Sequence, residues 1–195
     1  MKKFIFLLAT FSMAFQSQAQ TETLFDGDHK IGGFGGPMMQ FASLNGDFAF
    51  YSGGGGAAIL NGNFYLGGFG MGLSSEHQYT YLDQPHYADI GFGGLWLGYI
   101  HKPNKLIHLN FSLPIGGGGI SLFPVNDRFD EPNFDDSFLM INPSIGAELN
   151  VASFMKIALN GGYMYFAGVN NDIIPAGHLN SPSVMLSFKF GYFAE

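Results

Sequence analysis

The sequence lacks cysteine and carries few charges. None of its 195 residues is cysteine, and Asp, Glu, Lys and Arg together make up only 12%, against about 25% in a typical soluble domain. The missing cysteines exclude a disulfide framework, a thiolate metal site and a lipid-anchored N-terminal cysteine. Basic residues are also scarce, and the net charge is −7. Because proteins that bind nucleic acid carry basic patches, we expect no nucleic-acid partner.

Long apolar runs are absent beyond the N-terminus. A helix that crosses a membrane needs about 20 apolar residues, and the segment Phe4–Phe15 is largely apolar but only 12 residues long. Lys2 and Lys3 precede this segment, and small residues at positions 17 and 19 suit a signal peptidase. The pattern predicts a secretory signal over residues 1–19, cleaved after Ala19, and therefore an exported protein that no helix holds in a membrane.

Glycine and apolar residues are abundant, and the apolar ones alternate with small or polar ones. There are 29 glycines, and 47% of the chain is hydrophobic, which excludes a disordered chain. Over residues 139–151, apolar side chains such as Leu139, Ile141 and Leu149 occupy every second position, and Asn142 and Glu148 fall between them. This period of two predicts a strand with one apolar and one polar face.

The same alternation, blurred by glycine in the N-terminal half, predicts eight strands. They are expected near 33–44, 47–60, 63–74, 87–101, 105–115, 139–151, 155–167 and 184–192. Short turns are expected at Asn45-Gly46, Asn61-Gly62, 102–104 and 151–153, and long polar loops near 75–86, 121–136 and 169–182. After the first hairpin, short turns and long loops alternate. An even strand count with this alternation is typical of bacterial outer-membrane barrels.

Two further features support a membrane barrel. The polar face is mostly Gly, Ser and Asn, with the charges concentrated in the long loops, which is unusual for a surface in contact with water. Tyrosines fall near the expected strand ends, as in the aromatic girdles of membrane barrels. They are Tyr65, Tyr99 and Tyr192 at the short-turn side, and Tyr163 and Tyr165 towards the loop side.

Together with the signal segment and an aromatic-rich last strand over 188–193, these features resemble the small outer-membrane barrels of the OmpA/OmpX type. The resemblance covers most of the mature chain. It implies an all-β fold, an eight-stranded antiparallel up-and-down transmembrane β-barrel over 33–195, after a short periplasmic segment over 20–32. It also implies a place in the outer membrane of a Gram-negative bacterium, with the membrane lipid as a partner. No functional residue is carried over by it.

Three roles remain open on the sequence. The first is a non-enzymatic structural or surface-interaction protein, whose long external loops meet lipid, an extracellular ligand or another protein. The second is a narrow pore or small-solute transporter, in which the glycine-rich walls near 53–57 and 67–72 leave room inside. The third is a secreted lipocalin-like binder, in which the apolar face points inward around an apolar ligand.

A polar cluster is expected inside the barrel near the short-turn end. Its members are His108, Asn110, Glu148, Lys156 and Lys189. If the turn centres on Ala152, Glu148 and Lys156 lie opposite each other on adjacent strands, which predicts a contact between them with Lys189 nearby. The interior of an eight-stranded barrel is just wide enough for side chains to fill. We therefore interpret the cluster as a structural plug, the alternative being a proton or solute path.

Catalytic and metal-binding patterns are weak. His108 and Ser112 share a face but lie four residues apart on a strand, roughly 13 Å, which is too far for a nucleophile and its base. Histidines with nearby carboxylates occur in the long loops, but their spacing does not require a metal. These residues are His77, His86 and His178, with Glu76, Asp83 and Asp172.

Two further binding motifs are incomplete. The acidic segment 126–131 lacks the alternating acids and the glycine of a calcium loop. The glycine clusters at 32–36, 67–70 and 116–119 are not followed by a helix, which a phosphate-binding loop requires. Repeated Gly-Gly-Phe-Gly instead suits a small barrel that curves tightly. We therefore expect no enzymatic activity, no cofactor and no metal.

Overall fold

The computed structural model describes residues 30–81, 84–125, 132, 134–169 and 174–193. The expected signal segment over 1–19 and residues 20–29 of the expected periplasmic segment lie outside this part of the chain. The strands are β1 (Ile31–Leu44), β2 (Asp47–Leu60), β3 (Phe64–Leu73), β4 (Gln78–Tyr81), β5 (Gln84–His101), β6 (Ile107–Pro124), β7 (Phe134–Ile141), β8 (Ser144–Ala152), β9 (Met155–Ala167) and β10 (Ser181–Tyr192). A short helix, α1 (Ala176–Leu179), lies between β9 and β10.

The strands close into one antiparallel ring. Its order is β1, β2, β3, β5, β6, then β7 with β8, then β9 and β10, which pairs with β1 again. Strands β7 and β8 follow each other along the same position in the wall, so the ring has eight strands. The short strand β4 pairs with β5 beyond the ring. The predicted fold, an all-β, eight-stranded antiparallel up-and-down barrel, is confirmed.

Two predicted strands differ from the observed ones. The segment 139–151, expected as one strand, is divided between β7 and β8 at Asn142 and Pro143, because proline has no N–H group to donate to the ladder. Strand β6 extends to Pro124, whereas the sequence predicted an end at residue 115. With 18 residues each, β5 and β6 are the longest strands described and form one continuous ladder.

The two ends of the barrel differ in their connections. Short connections at 61–63, 102–106 and 153–154 lie at one end, called the turn end here. The opposite end, the loop end, carries the longer connections and the two-residue turn Asn45-Gly46. Both residues of that turn have positive φ, 54° and 91°, as a hairpin of this kind requires. No helix in the described part of the chain is long and apolar enough to span a membrane.

The outer face of the barrel is apolar. Large apolar side chains that point outward are 37% to 70% exposed, and they include Phe64, Leu109, Leu139, Val184 and Phe190. The residues between them on β6, β8 and β10 point inward and are mostly buried. The predicted alternation therefore has its apolar face outside. This arrangement is the opposite of the one that a lipocalin-like binder requires.

Side chains fill the lumen, and glycine in the wall makes room for them. Met38 and Trp96 are among the largest fully buried side chains. A Cβ atom added to Gly55 would lie 3.0 Å from the sulfur of Met38 and 3.1 Å from the Trp96 ring. At Gly55, the space inside the glycine-rich wall is thus occupied by these two side chains.

Candidate functional site

The five side chains of the expected polar cluster all point into the lumen at the turn end. None is more than 6% exposed. They are His108 and Asn110 on β6, Glu148 on β8, Lys156 on β9 and Lys189 on β10. Each lies within a few residues of the end of its strand that is at the turn end of the barrel.

Glu148 is the centre of this group. The ammonium Nζ of Lys189 donates to its Oε2 at 2.6 Å, and the amide Nδ2 of Asn110 donates to the same oxygen at 3.0 Å. The ring Nε2 of His108 lies 3.1 Å from Oε1. A charge taken out of water must be paired and hydrogen-bonded, and charge-assisted hydrogen bonds are the strong ones. The carboxylate of Glu148 thus joins three strands across the lumen.

The predicted pairing of Glu148 with Lys156 is wrong. Glu148 faces Ala158, because the turn lies over 153–154 with Ala152 opposite Met155, and an irregularity between Asn150 and Ala152 shifts the register by one residue. The ammonium group of Lys156 lies 4.5 Å from the centroid of the Phe193 ring. The hydrogen-bonded partner of Glu148 is instead Lys189, which the sequence analysis placed only nearby.

Three aromatic rings surround the ammonium group of Lys189. Its Nζ lies 4.8 Å from the ring centroid of Phe34, 4.7 Å from Tyr65 and 5.6 Å from Trp96, all within cation–π range. The rings also contact one another edge to face, with centroids 5.3 to 5.5 Å apart. The ion pair of Lys189 with Glu148 is therefore covered on its other side by aromatic surface.

The polar atoms of two of these rings have partners inside the cluster. The Tyr65 hydroxyl donates to Asn110 Oδ1 at 3.1 Å, and the indole Nε1 of Trp96 donates to Ser112 Oγ at 2.8 Å. We call the group formed by His108, Asn110, Ser112, Glu148, Lys189, Phe34, Tyr65 and Trp96 the turn-end cluster. Its hydrogen bonds link five strands of the ring, which suits a plug that holds the wall together.

Sequence reasoning missed the three aromatic members of the turn-end cluster, Phe34, Tyr65 and Trp96. Tyr65 was expected in the outer aromatic girdle, but its side chain is buried in the lumen, and the face of Trp96 could not be assigned. On β5 both faces carry apolar residues, since Leu95 points outward while Trp96 and Ile100 point inward. Alternation of apolar and polar residues therefore gives no signal on this strand.

The structure gives His108 and Ser112 different partners. His108 contacts Glu148 and, through Nδ1, the carbonyl oxygen of Lys105 at 2.9 Å. The hydroxyl of Ser112 accepts the hydrogen bond from Trp96. Both side chains face the lumen and are engaged in the plug, so the arrangement lacks the contact between nucleophile and base that catalysis by serine needs.

The loop histidines are held by local contacts. His77 Nδ1 lies 3.3 Å from Ser75, and His86 Nδ1 lies 3.0 Å from the carbonyl oxygen of Gln84. Within the described ranges, no three His, Cys, Asp or Glu residues are grouped as a metal site. Asp83, Asp172 and the acidic segment 126–131 lie outside those ranges.

Towards the loop end the lumen is filled by aromatic rings. Phe92 is central, and the centroids of four other buried rings lie 5.4 to 6.4 Å from its own. These rings belong to Tyr51, Phe69, Phe138 and Phe166. The lumen is thus closed twice, by an ion pair near the turn end and by packed rings above it.

Comparison with known proteins identifies the fold. No protein-family model and no curated protein matches this chain. Among solved structures, the chain is similar to neisserial surface protein A, with a TM-score of 0.55 and 10% identity over 86% of this chain and 99% of that one. It is also similar to Ail, the attachment invasion locus protein of Yersinia pestis, solved with the heparin analogue sucrose octasulfate. That match has a TM-score of 0.48 and 12% identity over 85% of this chain and 100% of that one. The likeness to neisserial surface protein A, together with the closed ring of eight strands, shows that the chain has the fold of the small eight-stranded outer-membrane β-barrel proteins.

Proposed function

We propose that this protein is a non-conducting barrel of the bacterial outer membrane that presents its loop end at the cell surface. There it would interact with an extracellular ligand or protein, and its role would be structural rather than enzymatic. The single observation that carries this proposal is the closed lumen. Between the turn end and the loop end, a solute would have to displace first the Glu148–Lys189 ion pair and then the rings around Phe92.

The outer face supports a position in lipid. The outward side chains of β6, β8 and β10 are apolar over most of their length. A closed ring of strands pairs its backbone groups internally, which is the condition for crossing a hydrocarbon layer. In outer-membrane barrels the short turns face the periplasm and the long loops face outside. By that rule the loop end is external, and the signal segment over 1–19 would direct export.

The placement of the polar groups supports different roles for the lumen and the loop end. The polar groups in the lumen are used to hold strands together, whereas the loop end is free to meet partners outside the membrane. Loops held on a rigid scaffold are where binding sites concentrate. We therefore assign the interaction role to the loop end and the structural role to the lumen.

The test uses the full-length chain expressed in a Gram-negative host. We expect the protein in the outer-membrane fraction, with a shift in gel mobility on boiling, because intact barrels resist unfolding in detergent. Purified protein in planar bilayers should leave conductance at the baseline, while a general porin in the same bilayers conducts. Stepwise conductance would instead support the pore alternative. Recovery as a soluble periplasmic protein would contradict the membrane barrel itself.

A further inference from the structure

The barrel wall opens beside β5 at the loop end. The ladder of β3 with β5 ends at the pair Gly72 and Gly91, and β4 pairs only with residues 84–87 of β5. Residues 73–77 pass between these two ladders. A cavity of about 420 Å³ lies at this position, within the size range of small-molecule sites, about 300–1,000 Å³.

The polar side chains that line this cavity include several hydrogen-bond acceptors beside the hydroxyl groups of Ser74, Ser75 and Tyr87. Glu76 and Asp89 bring two carboxylates, and His77 lies beside them although its side chain is only 7% exposed. His77 Nδ1 lies 3.3 Å from the carbonyl oxygen of Ser75. The hydroxyl of Ser75 lies at the same distance from Nδ1. In the tautomer whose Nδ1 donates to the carbonyl, Nε2 has the lone pair. Among the described residues, Nε2 has no hydrogen-bond partner.

The rest of the lining is apolar or aromatic. Tyr87 and Phe123 lie opposite each other on the paired strands β5 and β6, and Leu73 lies at the end of β3. A positive group is attracted to the face of an aromatic ring and forms charge-assisted hydrogen bonds with carboxylates. A ligand that matches both kinds of lining carries a cation with hydrogen-bond donors, for the acceptors, and a short apolar chain, for the apolar walls.

Charge is divided between the two ends of the barrel. Among the described residues, five carboxylates lie at the loop end, and every lysine lies near the turn end. The loop-end carboxylates are Asp47, Glu76, Asp89, Asp135 and Asp136. The turn-end lysines are Lys30, Lys102, Lys105, Lys156 and Lys189. A surface of one sign raises the local concentration of ligands of the other sign, so cations are favoured at the loop end.

We infer that the cavity beside β5 binds an alkylammonium group, carried by a free amine or by a lysine side chain. The ammonium would lie between Asp89 and Glu76 and donate to His77 Nε2, with its methylene stem against Tyr87 and Phe123. The inference rests on the proposed function, because only a barrel with its loop end outside presents this cavity to extracellular ligands. It names the chemistry of the partner.

The test measures binding to folded full-length protein in non-ionic detergent by isothermal titration calorimetry. The probes are pentane-1,5-diamine, its neutral analogue pentane-1,5-diol, and the capped peptide acetyl-Ala-Lys-Ala-amide. We expect saturable one-to-one binding of the diamine or the lysine peptide and none of the diol. The amine that binds with the higher affinity shows whether the ammonium group comes from a free amine or from a lysine side chain. Absence of saturable binding by both amines, or equal binding of the diol, would overturn the inference.

Variants separate a specific site from general attraction of cations. Asp89→Asn should weaken binding of the better amine by about tenfold, because it removes a charge-assisted contact. Asp135→Asn is the matched control, since it removes the same charge at the loop end but Asp135 does not line the cavity. Asp135 lies two strands from Asp89, through Ser121, which is roughly 10 Å at the usual strand spacing. Because this separation exceeds the Debye length at physiological salt, about 8 Å, its effect should be less than about twofold. Equal losses in the two variants would contradict a specific site.

The gel shift on boiling distinguishes a failure of the ammonium site from a failure of the proposed function. Each variant is first checked for the heat-dependent mobility of a folded barrel and for its place in the outer-membrane fraction. A wild-type protein that passes both checks and binds neither amine leaves the outer-membrane barrel standing and refutes only the ammonium site. A protein that fails both checks refutes the barrel proposal before any ligand is added.

Discussion

The two halves of the lumen are closed by different chemistry. Near the turn end, buried ions meet at Glu148, which binds Lys189, Asn110 and His108. Towards the loop end, the interior consists of aromatic rings around Phe92 with no ion pair described among them. Removing one ion leaves the other buried without a counter-charge, whereas a ring can be replaced by another apolar group. The turn-end half should therefore be the less tolerant of substitution.

The largest effect is expected for Glu148→Gln, which keeps the shape of the side chain and removes its charge. Lys189, 1% exposed, then lacks its counter-charge, and breaking a buried ion pair in this way costs about 3–5 kcal/mol. Urea unfolding in phospholipid vesicles can be followed by the fluorescence of Trp96, the single tryptophan, which lies over Lys189. We expect a clearly lower unfolding midpoint.

A double variant provides the control for that loss. Replacing both partners, Glu148→Leu with Lys189→Leu, removes the unpaired charge, and such apolar replacements of buried ion pairs are often close to neutral. The double variant should recover most of the lost stability. If Glu148→Gln unfolds at the wild-type urea concentration, the ion pair is not what holds the turn-end half together.

This difference between the halves also explains what the sequence could and could not predict. In β6 and β8 the inward residues near the turn end are polar, such as Asn110 and Glu148, so the apolar outer face stands out in the sequence. In β5 the inward Phe92 and Trp96 are as apolar as the outward Leu95, so the period of two disappears. The strand pattern, and with it the barrel, was predictable where the interior is polar.

The partners within the turn-end cluster were less predictable than its members. Lys189 and Glu148 are 41 residues apart in sequence, and their contact depends on ring closure and on the exact residues of the turn before β9. A shift of that turn by little more than one residue changes which side chain faces Glu148. Neither dependence can be predicted from alternation, because alternation gives the face of the strand on which a residue lies but not its position along the barrel axis.

A second prediction concerns Gly98, whose position faces the turn-end cluster. A Cβ atom there would overlap the ring of Tyr65, which contacts Lys189 and Trp96. Gly98→Ala should therefore displace the ring and lower the free energy of unfolding by about 1–3 kcal/mol. Gly91→Ala on the same strand is the matched control, since a Cβ atom there meets nothing within 4 Å. Its effect should stay within about 0.5 kcal/mol. Equal losses would show that contact with Tyr65 is not the reason why position 98 requires glycine.

A smaller effect is expected for Phe92→Leu in the loop-end half. Four rings lie around Phe92, and an apolar replacement of similar volume in a packed core costs about 1 kcal/mol. The same urea titration should show a shift well below that of Glu148→Gln. A loss as large as that of Glu148→Gln would remove the distinction between a tolerant half and an intolerant one.

The smallest effect at neutral pH is expected for Tyr79→Phe, on β4 beyond the ring. Among the described residues, the Tyr79 hydroxyl is buried without a hydrogen-bond partner, so its removal breaks no hydrogen bond and should not lower the free energy of unfolding at pH 7. Burial, with a smaller contribution from Asp47, raises the pKa of Tyr79 from 10.0 to about 12. Between these values the unfolded chain releases the phenolic proton and the folded chain retains it, so the wild type loses stability as the pH rises. Tyr79→Phe should lose less stability over that range, as measured by urea unfolding in detergent from pH 9 to 12.

The control for this prediction is Asp47→Asn, which removes only the smaller contribution to the raised pKa of Tyr79. It should slightly narrow the difference in stability between the wild type and Tyr79→Phe. Parallel pH curves for wild type and Tyr79→Phe would mean that β4 does not bury this hydroxyl in solution.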